Sequence, residues 1–511
     1  MICGGWGIML FNSREFIFIF LPLSVVGYLL LGRLNWRRGQ IAWLVFCSFF
    51  YYGWRELRFV PLLAGAILVN FAAGWLLVTR VNPVLRRTIL VCGLVFNLGL
   101  LVYFKYTNFF LQSFNELAGS HWGMLDIVLP LGISFFTFQK IAYLVDCYRG
   151  KAEAYNLLDF GLFVMFFPQL IAGPIVHHAE LVPQFATRRW HRVFLRDIAV
   201  GGTIFLIGLF KKVALADAIA PHASAVFGAA AAGQSVGFAD AWLGALAYTL
   251  QIYFDFSAYS DMAIGIARLF GIWLPLNFDS PYKSLNIIEF WRRWHITLSR
   301  FLRDYLYIPL GGNRKGKFRR YINLMVTMLL GGLWHGAAWT FIAWGFLHGL
   351  YLVVNHAWRH LRGAGPDRST GVKVGFSIFR LGAGALTFVA VVGAWVFFRA
   401  DTFHAAKIVL LGMADVTSLA GPMVFEENNR LLWVGGLLAA VFLLPNTQEL
   451  MSHYKPALEY LRRFSPSVAR IRRPGAFVWR PTPIWAAVIA AMSLAAFTQL
   501  SRVSEFIYYR F

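Results

Sequence analysis

The sequence predicts an all-α, polytopic membrane protein, and three observations carry that prediction. Composition is the first: 59% of the 511 residues are hydrophobic and 14% are charged, with a mean hydropathy of +0.60. Soluble domains run nearer about 25% charged. The second is a succession of apolar runs of about 17–25 residues, long enough to cross a hydrocarbon core of about 30 Å. The third is where the cations fall. The net charge is +23, and Lys and Arg gather in a few loops, as they do in cytoplasmic loops that orient transmembrane helices. With no basic soluble domain to carry it, a nucleic-acid role is disfavoured.

The apolar segments lie near 16–31, 41–54, 59–79, 89–104, 127–145, 157–176, 198–216, 238–256, 321–334, 338–355, 376–398, 431–444 and 484–500. Arg14 and Glu15 precede the first, and no small-residue cleavage pattern follows it, so it reads as a transmembrane helix and not a signal peptide. Residues 1–8 make an odd beginning. Met9 opens the more natural MLFNSREF, and a start eight residues later is expected. Arg33, Arg37 and Arg38 follow the first segment, and Arg80, Arg86 and Arg87 follow the third, which places both loops in the cytoplasm and the N-terminus outside. The loop at 105–126 sets Lys105 against Glu116 and Asp126, as expected outside.

Parity then requires that 157–176 not cross. Its FPQLIAGPI, 167–175, holds two prolines and a glycine that interrupt a helix. A re-entrant element is the expected result, tolerated where it lines a cavity. With that repair the basic loop of Arg188, Arg189, Arg192 and Arg196 falls inside, as do 283–320, 356–375 and 446–482. The cation-free 217–237 falls outside, and twelve crossings result. Polar stretches at 363–374 and 399–430 read as loops. Neither an internal repeat nor a long linker stands out, so a single integral membrane domain over 1–511 is expected, with its catalytic core in 127–400.

Cys3, Cys47, Cys92 and Cys147 form no CxxC pair and read as buried small hydrophobes. More is said by 289–317, EFWRRWHITLSRFLRDYLYIPLGGNRKGK, and by GGLWHGAAW at 331–339. Ionisable groups in apolar surroundings are expensive and usually mark a site. His295 and His335 are such groups. The segment 283–320, which spans the first of them, carries ten Lys or Arg against Glu289 and Asp304. Two readings of this segment stand together. Arg292, Arg293, Arg300 and Arg303 with Trp291, Trp294, Phe301 and Leu302 suit interfacial helices, cations toward headgroups of membrane lipids and aromatics toward acyl chains. The same cations suit an entrance for an anionic donor such as a coenzyme A thioester.

GGNRKGKF, 311–318, nearly spells a phosphate-binding loop but puts Phe318 where the metal-binding hydroxyl belongs, and no strand precedes it. An ATPase reading is rejected. Gly331, Gly332 and the small residues after His335 allow close approach of a substrate or a neighbouring helix. His348 would lie roughly 140° from His335 on one continuous helix, and reads as packing or support. His177 and His178 read as interfacial. In QIYFDFSAYSDMAIG, 251–265, Asp255 and Asp261 either pair with arginines or orient a histidine. Lys211 and Lys212 read as snorkelling residues.

EFWRRWHITLSRFLRDYLYIPLGGNRKG, GGLWHGAAW, QIYFDFSAYSDMAIG and FPQLIAGPI together resemble the membrane-bound O-acyltransferase family, and most closely its bacterial branch that serves O-acetylation of alginate, cellulose and related exopolysaccharides. The similarity runs from about residue 10 to 400. The resemblance implies a ring of about 11–13 transmembrane helices with re-entrant elements around a central funnel, sited in the bacterial inner membrane. It implies His335, in WHG, as catalytic and His295, in RWHITLS, as the second active-site histidine. Arg292, Arg293, Arg303, Asp255 and Trp334 are the expected substrate-binding residues. It further implies acetyl-CoA as donor substrate, no cofactor, no metal, and an exported polysaccharide as acceptor, with periplasmic O-acetylation proteins as partners.

That chemistry fits the residues. An alcohol of pKa near 15 needs a base, and a neutral imidazole of pKa around 6.5 removes its proton as attack develops. His295 is expected to orient the donor or to polarise its carbonyl. No Ser-His-Asp order and no metal-ligand spacing is evident. Two alternatives stay open: D-alanyl transfer to teichoic acid from a carrier protein, and a transporter or flippase in which the histidines relay protons.

The orientation is testable. Single-cysteine labelling in intact cells, on a cysteine-free background, is expected to protect residue 315 and to modify residue 230 with an impermeant reagent. The reverse pattern overturns both the topology and donor access from the cytoplasm.

Overall fold

The structure, a computed structural model, describes residues 9–171, 173–186, 195–362, 378–420, 429–461, 477–500 and 507. Residues 1–8, Cys3 among them, the arginines at 188, 189 and 192, the stretch 363–374 and most cations of 446–482 lie outside these residues. Among the described residues every regular element is a helix. In chain order the first are α1 (Leu21–Arg33), α2 (Arg37–Glu56), α3 (Val60–Thr79), α4 (Pro83–Leu101), α5 (Thr107–Ala118), α6 (Ile133–Tyr148) and α7 (Leu157–Met165). There follow α8 (Phe167–Leu170), α9 (His178–Ala186), α10 (Leu195–Phe210), α11 (Asp217–Ala231), α12 (Phe238–Leu269), α13 (Ile287–Trp291) and α14 (Ile296–Leu302). The last are α15 (Gly316–His335), α16 (Trp339–Leu361), α17 (Ile378–Arg399), α18 (Phe403–Ala414), α19 (Arg430–Leu443), α20 (Thr447–Leu450) and α21 (Pro483–Phe497).

Five helical stretches among the described residues are long and apolar enough to cross a membrane: Phe16–Arg33, Leu57–Thr79, Pro83–Ala118, Leu195–Ala231 and Ile378–Arg399. Leu23, Leu68, Val95 and Leu386 point outward from them, as lipid contact requires. The polytopic all-α reading holds.

The chain packs into two compact units. One comprises Met1–Phe210, Ala258–Leu276 and Thr447–Val503, the other Lys211–Ser257, Asn277–Asn446 and Ser504–Phe511. In the first, α3 and α4 are joined by reciprocal amide bonds between buried Asn70 and Asn97, at 3.2 and 2.6 Å. Such bonds hold helices together where apolar burial gives no net drive. The helix break expected in 157–176 is present. α7 has nine residues, about 14 Å at 1.5 Å per residue, too short to span. Phe166 then turns out of helical geometry (φ −44°, ψ 107°) and α8 lasts one turn. Asp261 takes hydrogen bonds from two neutral groups, Thr447 Oγ1 (2.6 Å) and Gln448 Nε2 (3.0 Å).

In the second unit, Lys212 does not snorkel. A π-helical segment, Lys211–Ala216, turns it inward, where its ammonium meets Asp217 at 2.5 Å and Asp255 at 2.8 Å. Asp255 also accepts from the Ile507 amide at 3.1 Å. A carboxylate pairing was expected here, but the partner is a lysine. The stretch 399–430 is not simply loop: Thr402 caps α18 through its side chain. Nor do the two tryptophans of 283–320 face acyl chains. Trp291 and Trp294 are buried, and the segment is two short helices separated at His295.

α15 and α16 form a tight helical hairpin. At Gly332 a Cβ would land on the Phe341 carbonyl oxygen, and at Gly345 on that of Met328. The small residues of GGLWHGAAW therefore serve a neighbouring helix. His335 ends α15, and Gly336 to Ala338 run extended before α16 begins. His335 and His348 thus lie on two helices, not on one continuous helix.

Gly345→Ala is expected to push the hairpin apart and to destabilise the protein by about 1–3 kcal/mol. Thermal melting in detergent checks this against Gly382→Ala on α17, where nothing lies within 4 Å of an added Cβ. Equal melting temperatures would refute the close-packing account.

Candidate active site

All the residues of the site belong to the second unit. Its two histidines meet: the rings of His295 and His335 are 6.5 Å apart between centroids. His335 is buried against Trp334 (4.9 Å), the edge of Trp344 (5.0 Å) and Phe398 (5.2 Å). His295 is fully buried, with Phe256 edge-on at 4.7 Å.

How the chain holds His295 decides what it can do. Two backbone bonds, Asp279 N to Arg293 O (3.0 Å) and Ile296 N to Asn277 O (2.9 Å), lay the stretch 277–279 beside 293–296. His295 itself sits at φ 42°, in the left-handed region before α14, a conformation that costs a non-glycine residue about 1 kcal/mol or more. The return on that strain is a set of bonds to one atom. Asn277 Oδ1 accepts from the Thr297 amide (3.3 Å) and hydroxyl (2.9 Å), and lies 3.1 Å from His295 Nδ1. A backbone N–H can only donate, so the shared atom is the oxygen, and Nδ1 of His295 carries the proton. The lone pair of the neutral ring is then on Nε2. Burial pushes the pKa of His295 down to about 3, which keeps it neutral. A neutral ring of this tautomer accepts a hydrogen bond at Nε2, so the expected carbonyl-polarising role does not follow from it.

In the same unit lies a cavity of about 830 Å³, with Trp291 and Ile296 on its wall, lined by Arg292, Arg300, Arg303, Arg320 and Arg359 and by no carboxylate among the described residues. Arg303 is partly offset by bidentate bonds to Asp304, at 2.7 and 3.0 Å. His356, near the end of α16, accepts at Nδ1 from Arg320. Burial, then Arg320, Arg359 and Arg292, push its pKa down to about 4. Such a lining is chemically suited to an anion with several charged oxygens.

Among the residues expected to bind substrate, Arg292 and Arg303 line the cavity and Trp334 packs on both histidines, 6.2 Å from His295. Arg293 is turned elsewhere, bonded to Glu289 at 2.8 Å and to the Asp279 carbonyl at 3.3 Å. Asp255 is held by Lys212. Sequence reasoning missed Asn277, which lies in an undistinguished NFDSP, and it missed Arg320 and Arg359, which lie 28 and 67 residues beyond Arg292. In the first unit, Asp146, His177 and His178 form a further cluster of metal-ligand types. Here Ala179 N–H donates to His177 Nδ1 (3.2 Å), so His177 Nε2 carries the proton that bonds Asp146 at 2.7 Å. His178 is buried between Asp146 and the Tyr155 hydroxyl and is not interfacial. The cluster is satisfied as hydrogen bonds.

Comparison with known proteins agrees with this geometry. The model of the membrane-bound O-acyltransferase family matches residues 148–376, which include both histidines and the whole cavity lining. Over 454 residues, 83% of each chain, this protein is 44% identical to the peptidoglycan O-acetyltransferase of Helicobacter pylori. The chain belongs to the membrane-bound O-acyltransferase family. It is also 44% identical to the probable alginate O-acetylase AlgI of Pseudomonas putida over 447 residues, 85% of each chain. Identity to the teichoic acid D-alanyltransferase of Streptococcus thermophilus is 31%, over 46% of this chain and 59% of that one. As a membrane-bound O-acyltransferase, the protein is a multi-pass membrane enzyme that transfers acyl groups.

Asn277→Asp tests the tautomer. A carboxylate keeps all three acceptor bonds but favours the imidazolium, which has no lone pair at Nε2. The acid limb of the pH–rate profile is expected to move to higher pH, while Asn277→Ala lowers turnover by about tenfold or more at every pH. An unshifted limb in a well-folded Asp variant would show that Asn277 does not control His295.

Proposed function

We propose that this enzyme moves an acetyl group from cytoplasmic acetyl-CoA to hydroxyls of an exported polysaccharide, across the bacterial inner membrane, with periplasmic O-acetylation proteins as partners. The observation that carries the reading is an arginine-lined cavity joined to a buried histidine pair through Trp291, which lines the cavity, and Trp344, which packs on both Trp291 and His335. The phosphates of coenzyme A suit those guanidinium groups. Two relatives whose names include a glycan O-acetylation, each matched over more than four-fifths of this chain, support the acceptor class.

In the proposed reaction His335 takes the proton of the acceptor hydroxyl as its oxygen attacks the thioester carbonyl. A C–O bond forms, the C–S bond breaks, and the proton passes from His335 to the departing thiolate. His295, neutral with Nε2 as acceptor, receives a hydrogen bond from a second hydroxyl of the acceptor sugar and so turns the attacking oxygen toward the carbonyl, while the proton of the attacking hydroxyl goes to His335. A general base of this kind typically contributes about 10²–10⁴-fold. D-alanyl transfer from a carrier protein is the other enzymatic reading, and it is supported by the lower and shorter similarity.

Radiolabelled acetyl-CoA with purified protein in liposomes, offered candidate glycans and periplasmic partners, is the test. Wild-type protein is expected to pass label to an acceptor. His335→Ala is expected to lose on the order of 10²–10⁴-fold in rate at unchanged abundance, and His295→Ala to lose less. Solute movement without acyl transfer, or near-normal acetylation by a well-expressed His335→Ala variant, would overturn the assignment.

A further inference from the structure

His348, on α16, has no place in the reaction just described. It is completely buried, and both of its ring nitrogens meet no hydrogen-bond partner among the described residues. Buried polar groups are nearly always hydrogen-bonded, so a doubly unpartnered imidazole in a core needs a reason. The surroundings sharpen the question. Phe290 stacks on the ring at 5.9 Å, Trp291 meets it edge-on at 5.2 Å and Trp344 at 4.8 Å. If packing were the whole story, phenylalanine would fill this aromatic sheath with no polar group to bury.

Position supplies the reason. Trp291 both touches His348 and lines the arginine cavity, and Leu352, one turn along α16 from His348, lines it too. On the other side, Trp344 touches both His348 and His335. His348 therefore stands between the cavity that would hold a donor's phosphates and the histidine at which its thioester would react. An arm that followed the contacts from Trp291 to Trp344 between those two ends would run beside it.

We propose that His348 is a binding point for the pantetheine arm of the acyl donor, its ring nitrogens exchanging hydrogen bonds with an amide of that arm. A neutral imidazole offers one donor and one acceptor, which is what one amide requires. The indole N–H groups of Trp291 and Trp344, also without partners among the described residues, add donors for the amide carbonyl. The inference rests on the acyl-thioester reading above. Coenzyme A and a carrier protein present the same arm, and the coenzyme is the source proposed here.

The experiment compares donors. Transfer by wild type, His348→Phe and His348→Gln is measured with acetyl-CoA and with S-acetyl-mercaptoethanol, a thioester that has no amide. The Phe variant keeps the stacked ring and is expected to raise the KM for acetyl-CoA about tenfold, as for one lost hydrogen bond, with kcat and the short donor's kinetics little changed. The Gln variant is expected to recover most of the affinity. Unchanged acetyl-CoA kinetics in a folded Phe variant, or an equal loss with both donors, overturns the role of His348 and leaves the donor reading standing. Wild-type protein that turns over a carrier-protein thioester and not acetyl-CoA overturns the proposed source, and with it this inference as stated.

Discussion

Oδ1 of Asn277 accepts three hydrogen bonds, and the chemistry of the site depends on it. It ties the Thr297 amide and hydroxyl to the imidazole of His295, and in doing so it assigns the proton of that ring. Without it His295 would lose the polar contact that rewards φ 42°, and only the two backbone bonds would hold 277–279 to 293–296. The aromatic enclosure of Phe256, Phe278 and Trp334 around His295 excludes water, so this one polar anchor acts in a medium where hydrogen bonds are strong and their absence is costly. A buried side-chain amide thereby converts a titratable residue into a fixed acceptor, opposite a second histidine.

The helical, membrane-embedded character was legible because hydropathy and proline are local signals. The interruption at 157–176 followed from Pro168, Gly173 and Pro174, and the structure breaks there. The places where reading failed share a cause. Lys212 looked like a snorkelling residue because its sequence neighbours are apolar, yet Asp255, far along the chain, supplies its counter-charge. Trp291 and Trp294 looked like interfacial anchors because they alternate with arginines, but His295 interrupts the helix and re-aims both into the core. α18 was missed because a polar flank on each side hid a short apolar helix.

For the site, the family-like motifs singled out His295 and His335, and the fold brings their rings within 6.5 Å of one another. The supporting parts were not legible. Asn277 acts through one atom, and no spacing rule announces it. Arg320 and Arg359 join Arg292 at the cavity only because α15 and α16 fold back on one another. His348 was placed by assuming one continuous helix from His335, and the extended Gly336–Ala338 invalidates that geometry. Polarity within a segment can be read along the chain, but convergence of segments is set by tertiary contacts.

The glycine contact between α15 and α16 has a consequence for how such a chain can vary. Gly345 is seated on the Met328 carbonyl, and three residues later comes His348. Each residue added to or removed from a helix rotates everything beyond it by about 100°. A single insertion in α16 between these positions would leave the hairpin seated and swing His348 out of its aromatic sheath. One placed before Gly345 would keep His348 in step with Gly345 but unseat the hairpin. Length polymorphism is thus shut out of α16 between Trp339 and His348 by helical register alone, even at positions where almost any apolar side chain would fit.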